Sequence, residues 1–471
     1  MTAYLIGICG TAMASLAAML KQSGWDVRGS DVGIYPPMDR FLEKQGISPL
    51  LGYDASHITE DIDVVIIGNS VSRGNPEVER VLDKRLRYVS LPEMLRERFL
   101  WRQKSIVVAG THGKTTTSSL IAWVLVRGRV DPSFLIGGIP ENFGVSFRIG
   151  EGPAFVIEGD EYDSAFFDKT AKCLKYLPAT AIVGNVEFDH ADIYEDIDSL
   201  RKTFRQFLHL VPGNGQVLLG SDDDEALALR EYARAPVETF GFRESSNWRA
   251  VDVVYESDST KFRVLHNDVL VGDVDLPLLG SFNVKNALAA IAVATAMEID
   301  STTCTRALAE FKGVRRRLDL RGVVGDVSVY DDFAHHPTAI RETLEALRAK
   351  SMGRIRAVFE PRSATACRKV FQKSLAEALA LADDVVLPPV FRSSIPADER
   401  LSIGELVADL LAGGTHAYAA SDLQDVCKHI VETSERGDVV VLMSNGDFGS
   451  LHDEILGQLA HKLEDTSDNQ D

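Results

Sequence analysis

Short apolar runs alternate with helical periodicity from the start of the chain. Residues 4–8 and 25–29 are predicted strands, and residues 63–67 form another apolar run typical of a buried strand. Between the first two strands an apolar helix face recurs at i, i+3, i+4 and i+7, formed by Met13, Leu16, Ala17 and Leu20. Strands separated by helices in this way indicate a parallel sheet with helices on its faces. This unit is predicted to end at residue 101.

The alternation continues through two further units. In the second, a strand at 105–109 leads directly into GTHGKTTT and then into a helix at 118–126. Strands are predicted at 154–157 and 181–183, a turn-rich meander between 215 and 277, and an alanine-rich helix at 283–297. The third unit has predicted strands at 327–330, 356–359, 384–387 and 439–443.

The pattern therefore predicts an α/β protein of three domains. Residues 1–101 form a Rossmann-like N-terminal domain, and residues 102–317 a central P-loop ATPase domain with a mostly parallel sheet. Residues 318–463 form a Rossmann-like C-terminal domain. The polar, acidic residues 464–471 are predicted to be a disordered tail.

The composition of the chain disfavours several classes of binding partner. The 471 residues include 50 Lys+Arg and 69 Asp+Glu, a net charge of −19, which disfavours binding to nucleic acid or anionic lipid. The five cysteines never occur in CxxC spacing and are expected to be reduced thiols in a cytoplasmic protein. Because no apolar run reaches the about 18 residues of a membrane span, we expect no membrane insertion.

The strongest chemical signal is the turn between the 105–109 strand and the following helix. Such a turn directs backbone N–H groups and the helix dipole towards an anion, with a lysine for the β- and γ-phosphates and a hydroxyl for Mg²⁺. The strict P-loop pattern requires glycine where this chain has Val108. The predicted ATP-binding residues of the turn are Gly110, Thr111, His112, Gly113, Lys114, Thr115 and Thr116.

Two acidic clusters follow the next core strands. Glu158 begins the first cluster, E-G-D-E-Y-D, and His190 ends the second, N-V-E-F-D-H. Carboxyl ends of parallel strands meet at one edge of a sheet, where α/β proteins bind ligands. Phosphoryl transfer requires metal ions beside the phosphates. A carboxylate and an imidazole there, together with the Thr115 hydroxyl, predict a site for one or two Mg²⁺ ions.

A second glycine turn lies at the N-terminus. Gly7, Gly10 and Thr11 are predicted to bind a diphosphate, and Asp31 lies at the distance along the chain expected for a ribose contact. The dinucleotide pattern requires glycines where this chain has Cys9 and Ala12. A nicotinamide-dependent dehydrogenase is therefore the weaker alternative from another class.

Later motifs supply further candidate groups. An asparagine pair, Asn283 and Asn286, offers amides for a base edge, and the run 315–317 offers arginine forks for phosphates. Asp332 lies at the end of a predicted strand and could accept a ribose hydroxyl. His335 and His336 have no further ligands at the spacing of a zinc site.

In this order, the motifs resemble the Mur ligase family, the ATP-dependent amide ligases of peptidoglycan precursor synthesis. The resemblance covers nearly the whole chain. It implies that a carboxylate is phosphorylated by ATP and that an amine then attacks the acyl phosphate, with Lys114, Glu158 and His190 as catalytic residues. It further implies Mg²⁺ at Thr115, Glu158 and His190, and the UDP diphosphate at the N-terminal turn. Nucleotide contacts are implied for Asn283, Asn286, Arg317 and Asp332.

Further stretches resemble one branch of this family. They occur at 35–38, at 68–69 together with 73–76, and at 160–169, 360–363 and 444–446. That branch joins UDP-N-acetylmuramate to a murein tripeptide, L-alanyl-γ-D-glutamyl-meso-diaminopimelate, in peptidoglycan recycling. The alternative is the branch of de novo synthesis that joins UDP-N-acetylmuramate to L-alanine. Charge alone suggests Arg362 or Arg392 as partners of the tripeptide carboxylates.

Overall fold

The computed structural model describes residues 1–34, 38–189, 193–391 and 395–468. The chain divides into two compact units. The first consists of Met1–Glu187, Ile197–Arg249 and Leu288–Cys304, and the second of Phe188–Asp196, Ala250–Ala287 and Thr305–Asp471. Parallel β-sheet and helices form both units, as the alternation along the sequence predicts.

The first unit begins with a five-stranded parallel sheet in the order β3-β2-β1-β4-β5. This is the order of a Rossmann-like fold, and it confirms the class predicted for the N-terminal residues. The elements are β1 (Thr2–Ile6), α1 (Thr11–Gln22), β2 (Asp26–Asp31), α2 (Met38–Lys44), β3 (Leu50–Leu51), β4 (Val64–Ile67), α3 (Pro76–Asp83), β5 (Tyr88–Ser90) and α4 (Leu91–Leu95). The predicted apolar face of α1 is buried.

A buried carboxylate ties this sheet together. Glu77, near the start of α3, is fully buried and accepts hydrogen bonds from Tyr4 Oη (2.9 Å) and Ser30 Oγ (2.5 Å). His57 Nδ1 lies 2.7 Å from its Oε1. The Ser30 carbonyl in turn accepts hydrogen bonds from the backbone N–H groups of Gly7 and Ile8, in the N-terminal glycine turn. Glu77 therefore links β1, β2 and α3 beneath that turn.

The second part of the first unit contains seven hydrogen-bonded strands in the order β14-β13-β12-β6-β9-β7-β8, and the first residues of β15 pair with β14. Within it only β7 and β8 pair antiparallel among the described residues. The elements from β6 to β15 are β6 (Lys104–Ala109), α5 (Lys114–Arg127), β7 (Ser133–Leu135), β8 (Phe147–Arg148), β9 (Ala154–Glu158), β10 (Asp163–Ala165), β11 (Asp168–Ala171), β12 (Pro178–Val183), α6 (Ile197–His209), β13 (Gln216–Gly220), α7 (Asp224–Ala228), β14 (Val237–Gly241) and β15 (Trp248–Tyr255).

The predicted meander between 215 and 277 is only partly correct. Strands β13 and β14 are parallel to their neighbours and extend the central sheet. The antiparallel hairpin comes later and consists of β16 (Thr260–His266) and β17 (Val269–Leu276). The prediction failed because both strand types carry β-branched residues between turns, and the sequence does not reveal that α7 connects β13 to β14 in a parallel crossover. Two helices follow, α8 (Ser281–Ala296) and α9 (Ser301–Ala309).

The second unit contains a six-stranded sheet in the order β18-β19-β23-β20-β21-β22, parallel except for β18 against β19. Strand β23 is buried on both faces, which explains its continuous apolar sequence. The elements are β18 (Asp319–Val324), β19 (Val327–Asp332), α10 (Pro337–Lys350), β20 (Ile355–Phe359), α11 (Gln372–Leu379), β21 (Asp384–Leu387), α12 (Ile403–Ala412), β22 (His416–Ala419), α13 (Leu423–Thr433), β23 (Val439–Met443) and α14 (Leu451–Asp468).

The last helix extends beyond the predicted end of the third domain. Helix α14 continues to Asp468, so most of the segment predicted as a tail from residue 464 has helical backbone. Residues 469–471 lie outside the described part of the chain. Among the described residues, no helix combines the length and the apolar character needed to cross a membrane.

The Glu77 network gives a stability prediction. Replacing Glu77 with Ala leaves several buried donors without an acceptor, so we expect the free energy of unfolding to fall by about 2–4 kcal/mol. Urea denaturation followed by circular dichroism measures the change. The control is Glu79→Ala on the same helix, whose side chain is 36% exposed and pairs with exposed Arg73. Its midpoint should stay near that of the parent protein, and equal losses in the two variants would contradict the network's role.

Candidate active site

The predicted phosphate turn lies between β6 and α5. Gly113 immediately precedes α5 with φ +82°, and Gly110 has φ +116°, a backbone region that side chains rarely tolerate. A Cβ atom at Gly110 would lie 2.9 Å from the carbonyl oxygen of Asn185. Helix α5 begins at Lys114, so the positive end of its dipole faces the turn. The order of strand, turn and helix is the one predicted from the sequence, but the helix begins at Lys114 and not at the predicted residue 118.

Strand order places the turn between two acidic loops. Strand β6 lies between β9 and β12, and all three are parallel. The loops that follow β9 and β12 therefore emerge at the same sheet edge as the turn. The chain runs from β6 to β7, β8 and β9 on one side of β6 in the sheet and then crosses to β12 on its other side. Such a change of direction marks the position where open α/β sheets bind ligands.

The loop after β12 holds the turn in place. Thr111 N donates to the Asn185 carbonyl (3.1 Å), and His112 N donates to Asn185 Oδ1 (2.7 Å). Glu187 N donates to Thr111 Oγ1 (2.8 Å), and Glu187 Oε2 lies 3.0 Å from His112 Nε2. These bonds explain how the second acidic cluster supports the turn. His190, its predicted metal ligand, lies outside the described residues.

Lys114 is anchored inside the site. Its Nζ donates to the carbonyl oxygens of Gly110 (2.7 Å) and Thr111 (3.2 Å), and to both carboxylate oxygens of Glu161 (2.9 and 3.0 Å). Burial disfavours the charged ammonium, but Glu161, with smaller contributions from Asp160 and Glu158, outweighs burial and raises the pKa of Lys114. Lys114 is therefore a cation at neutral pH.

Two of the three predicted metal ligands lie together. Thr115 Oγ1 donates to Glu158 Oε2 at 3.2 Å, and Glu158 Oε1 accepts a hydrogen bond from Gly137 N at 2.6 Å. A hydroxyl and a carboxylate are hard oxygen ligands, which suit Mg²⁺. The donor set beside the turn therefore fits the expected metal. Thr116 is buried in the first turn of α5.

The N-terminal turn has its own internal support. Gly7 has φ +82°, and Gly10 immediately precedes Thr11 at the start of α1. Asp31 Oδ2 accepts a hydrogen bond from Cys9 N at 2.9 Å, and its Oδ1 accepts one from Gly33 N at 3.2 Å. The carboxylate predicted to contact a ribose thus shapes the turn itself.

The remaining predicted nucleotide residues belong to the second unit. Asn286 Nδ2 donates to Asn283 Oδ1 (3.1 Å), so the predicted pair is a real contact on α8. Arg317 stacks over the Phe333 ring at 4.6 Å. Asp332 is buried and accepts hydrogen bonds from the backbone N–H groups of Leu318 (2.6 Å) and Ala334 (2.8 Å). Burial outweighs the opposing charge of Arg317 and raises the pKa of Asp332.

Polar side chains directly follow two neighbouring strands of the C-terminal sheet, β20 and β23. Ser444, after β23, donates to Glu360 Oε2 after β20 at 2.6 Å. Arg362 stacks over Phe391 at 4.0 Å and donates to the Asp447 carbonyl at 3.2 Å. The other suggested partner for substrate carboxylates, Arg392, lies outside the described residues, as do 35–37.

Sequence reasoning did not assign two important residues of the site. Glu161 was visible as one acid of the first cluster, but nothing in its spacing identifies it as the partner of Lys114. Asn185 supports the turn through both its backbone and its side chain. Its position directly after a buried strand, at the edge expected for ligand binding, was the available signal.

Three family models match consecutive parts of this chain. The Mur ligase family catalytic domain matches residues 2–99, the Mur ligase middle domain 108–294, and the Mur ligase glutamate ligase domain 316–446. These matches confirm the predicted α/β fold of three domains. The domain boundaries at 101 and 317 stay predictions.

The chain is similar to several ligases over nearly its full length. The chain is 42% identical to UDP-N-acetylmuramate–L-alanyl-γ-D-glutamyl-meso-2,6-diaminoheptandioate ligase of Escherichia coli, over 98% of this chain and 99% of the relative. It is 35% identical to UDP-N-acetylmuramate–L-alanine ligase of Halorhodospira halophila, over 97% and 93%. The crystal structure of a murein peptide ligase from Psychrobacter arcticus is similar with a TM-score of 0.73 and 35% identity, over 98% and 99%.

The backbone of the turn gives a testable prediction. Gly110→Ala forces a side chain into positive φ and against Asn185, so the turn must shift, and we expect the affinity for MgADP to fall by about tenfold or more. Isothermal titration calorimetry measures it. Gly184→Ala is the matched control, because its Cβ would meet nothing within 4 Å. Unchanged MgADP affinity in Gly110→Ala would contradict phosphate binding at this turn.

Proposed function

The chain belongs to the Mur ligase family, and on that premise we propose that it is an ATP-dependent amide ligase joining UDP-N-acetylmuramate to L-alanyl-γ-D-glutamyl-meso-diaminopimelate. The observation that carries the proposal is the 42% identity to the tripeptide ligase over nearly the full length of both chains. Identity to the L-alanine ligase is lower, at 35%. The family assignment also replaces the nicotinamide-dehydrogenase alternative.

The chemistry follows from the weak electrophilicity of a carboxylate. A carboxylate oxygen of UDP-N-acetylmuramate attacks the γ-phosphorus of ATP, and ADP leaves. The α-amine of the tripeptide attacks the resulting acyl carbon, loses a proton, and phosphate departs as the amide forms. In the first step two anions must approach each other, which requires positive charge between them.

Residues of the turn supply that charge. The N-terminus of α5 and the Lys114 ammonium bind the phosphates, and the bonds from Asn185 and Glu187 keep the turn fixed. Thr115 and Glu158 would hold Mg²⁺, with His190 as a proposed third ligand. When bound, Mg²⁺ neutralises charge that develops on the phosphate oxygens.

Other contacts are carried over from the family resemblance. We assign Asn283 and Asn286 to the adenine, and Arg317 and Asp332 to the rest of the nucleotide. Gly7, Gly10, Thr11 and Asp31 form the turn for the UDP diphosphate. Arg362 is the candidate partner of the tripeptide carboxylates, and the reaction takes place in the cytoplasm, where ATP and UDP-sugars are available.

The choice of amine substrate is tested by ADP release. With ATP, Mg²⁺ and UDP-N-acetylmuramate present, we expect kcat/KM for the tripeptide to exceed that for L-alanine by about 100-fold, because specificity is differential binding of the transition state. A coupled assay for ADP measures both rates. Preference for L-alanine would assign the chain to the other branch. ADP release without the sugar nucleotide would contradict a ligase.

The metal assignment is tested by Glu158→Gln. Loss of a ligand charge should raise the Mg²⁺ concentration for half-maximal ligation by about tenfold or more, and it should lower the maximal rate. Mg²⁺ titrations of the ADP-release assay measure both quantities. The control Glu225→Gln removes an acid that pairs with Arg201 and not with Thr115 or Lys114. An unchanged Mg²⁺ requirement in Glu158→Gln would remove Glu158 from the metal site.

A further inference from the structure

All three donors of the Lys114 ammonium are engaged among the described residues. An ammonium has three N–H donors, and the described part of the chain gives it three partners: the carbonyl oxygens of Gly110 and Thr111 and the carboxylate of Glu161. A phosphate oxygen can therefore reach Lys114 only if one of these contacts lengthens or breaks. The nucleotide must replace part of the lysine's present environment.

Glu161 is the strongest of the three partners. It is the charged one, its carboxylate is 1% exposed, and both of its oxygens lie within 3.0 Å of the lysine nitrogen. The side chain of Lys114 is itself only 16% exposed. A charged pair shielded from water is costly to separate unless another anion takes the place of the first. Phosphate is such an anion.

The backbone around Glu161 is also held. The neighbouring Asp160 accepts hydrogen bonds from Lys172 Nζ (2.6 Å) and from Tyr162 N (3.0 Å). These two contacts fix the loop, and Glu161 faces Lys114 from it.

We propose that Glu161 is a positioning residue that holds Lys114 in the nucleotide-free protein and yields it in part to the phosphates, so that the Lys114–Glu161 pair weakens nucleotide binding. The inference rests on the proposed function. The pair keeps the ammonium aligned at the turn while it reduces the net gain from each bound nucleotide. Release of the product ADP is correspondingly easier.

The decisive experiment is the binding of MgADP to Glu161→Gln, measured by isothermal titration calorimetry. Glutamine keeps the size of the side chain but removes its charge, so phosphate no longer competes with a carboxylate. We expect the Kd for MgADP to fall by about tenfold. We also expect the melting temperature without nucleotide to fall while the rise caused by MgADP becomes larger. A merely structural role would instead weaken MgADP binding.

A matched control distinguishes the effect of the Lys114–Glu161 contact on MgADP affinity from the effect of removing any negative charge nearby. Asp163→Asn removes a charge from the same acidic cluster, but its carboxylate pairs with the exposed Lys169 and not with Lys114, and we expect its MgADP Kd to stay within about twofold, since a charge without contact acts through a screened field. Equal tightening in both variants would overturn the inference, as would unchanged or weaker binding in Glu161→Gln. If Glu161→Gln does not fold, Glu161→Ala, which also lacks the carboxylate, should still tighten binding, and its failure to do so overturns the inference. If the parent protein does not bind MgADP, the proposed function itself fails.

Discussion

Bringing two anions together is the constraint on which the rest of this structure depends. A protein with a net charge of −19 must concentrate positive potential at one point of its central sheet. Under the proposed function, the N-terminus of α5 and Lys114 supply this potential, and neighbouring acids and Asn185 fix their positions. Glu161 holds the lysine, Glu187 and Asn185 hold the turn, and Glu158 lies beside Thr115.

The N-terminal turn is also supported by hydrogen-bond acceptors of the protein itself. Asp31 and the Ser30 carbonyl accept hydrogen bonds from the backbone of that turn, and Ser30 is in turn tied to the buried Glu77. Both glycine turns therefore derive their shape from acceptors beneath or beside them. Asp31, a candidate ligand contact in the sequence, therefore also supports the N-terminal turn. A turn that binds an anion through some of its N–H groups needs partners within the protein for its remaining polar groups.

The sequence predicted much of the fold and part of the site. Strand β6, the turn and α5 are correct because an apolar strand, glycines and a helical run leave few alternatives. Thr115 and Glu158 are neighbours as predicted, since parallel strands end at one sheet edge. The pairing of Lys114 with Glu161 could not be predicted, because several acids at similar spacing compete for one cation. The prediction of a meander between 215 and 277 was partly wrong, because a β-branched sequence does not show whether a strand pairs parallel or antiparallel. The edge strand β22 was not predicted, because it is short and has no long apolar run.

The proposed reaction requires that the sugar-borne carboxylate is phosphorylated at the turn after β6. Isotope labelling of oxygen tests this step. UDP-N-acetylmuramate labelled with ¹⁸O at both carboxylate oxygens is converted with ATP and tripeptide, and the inorganic phosphate is analysed by mass spectrometry. We expect one ¹⁸O atom in each phosphate formed, because the attacking carboxylate oxygen leaves with the phosphorus. Unlabelled phosphate, or label found in AMP, would contradict it.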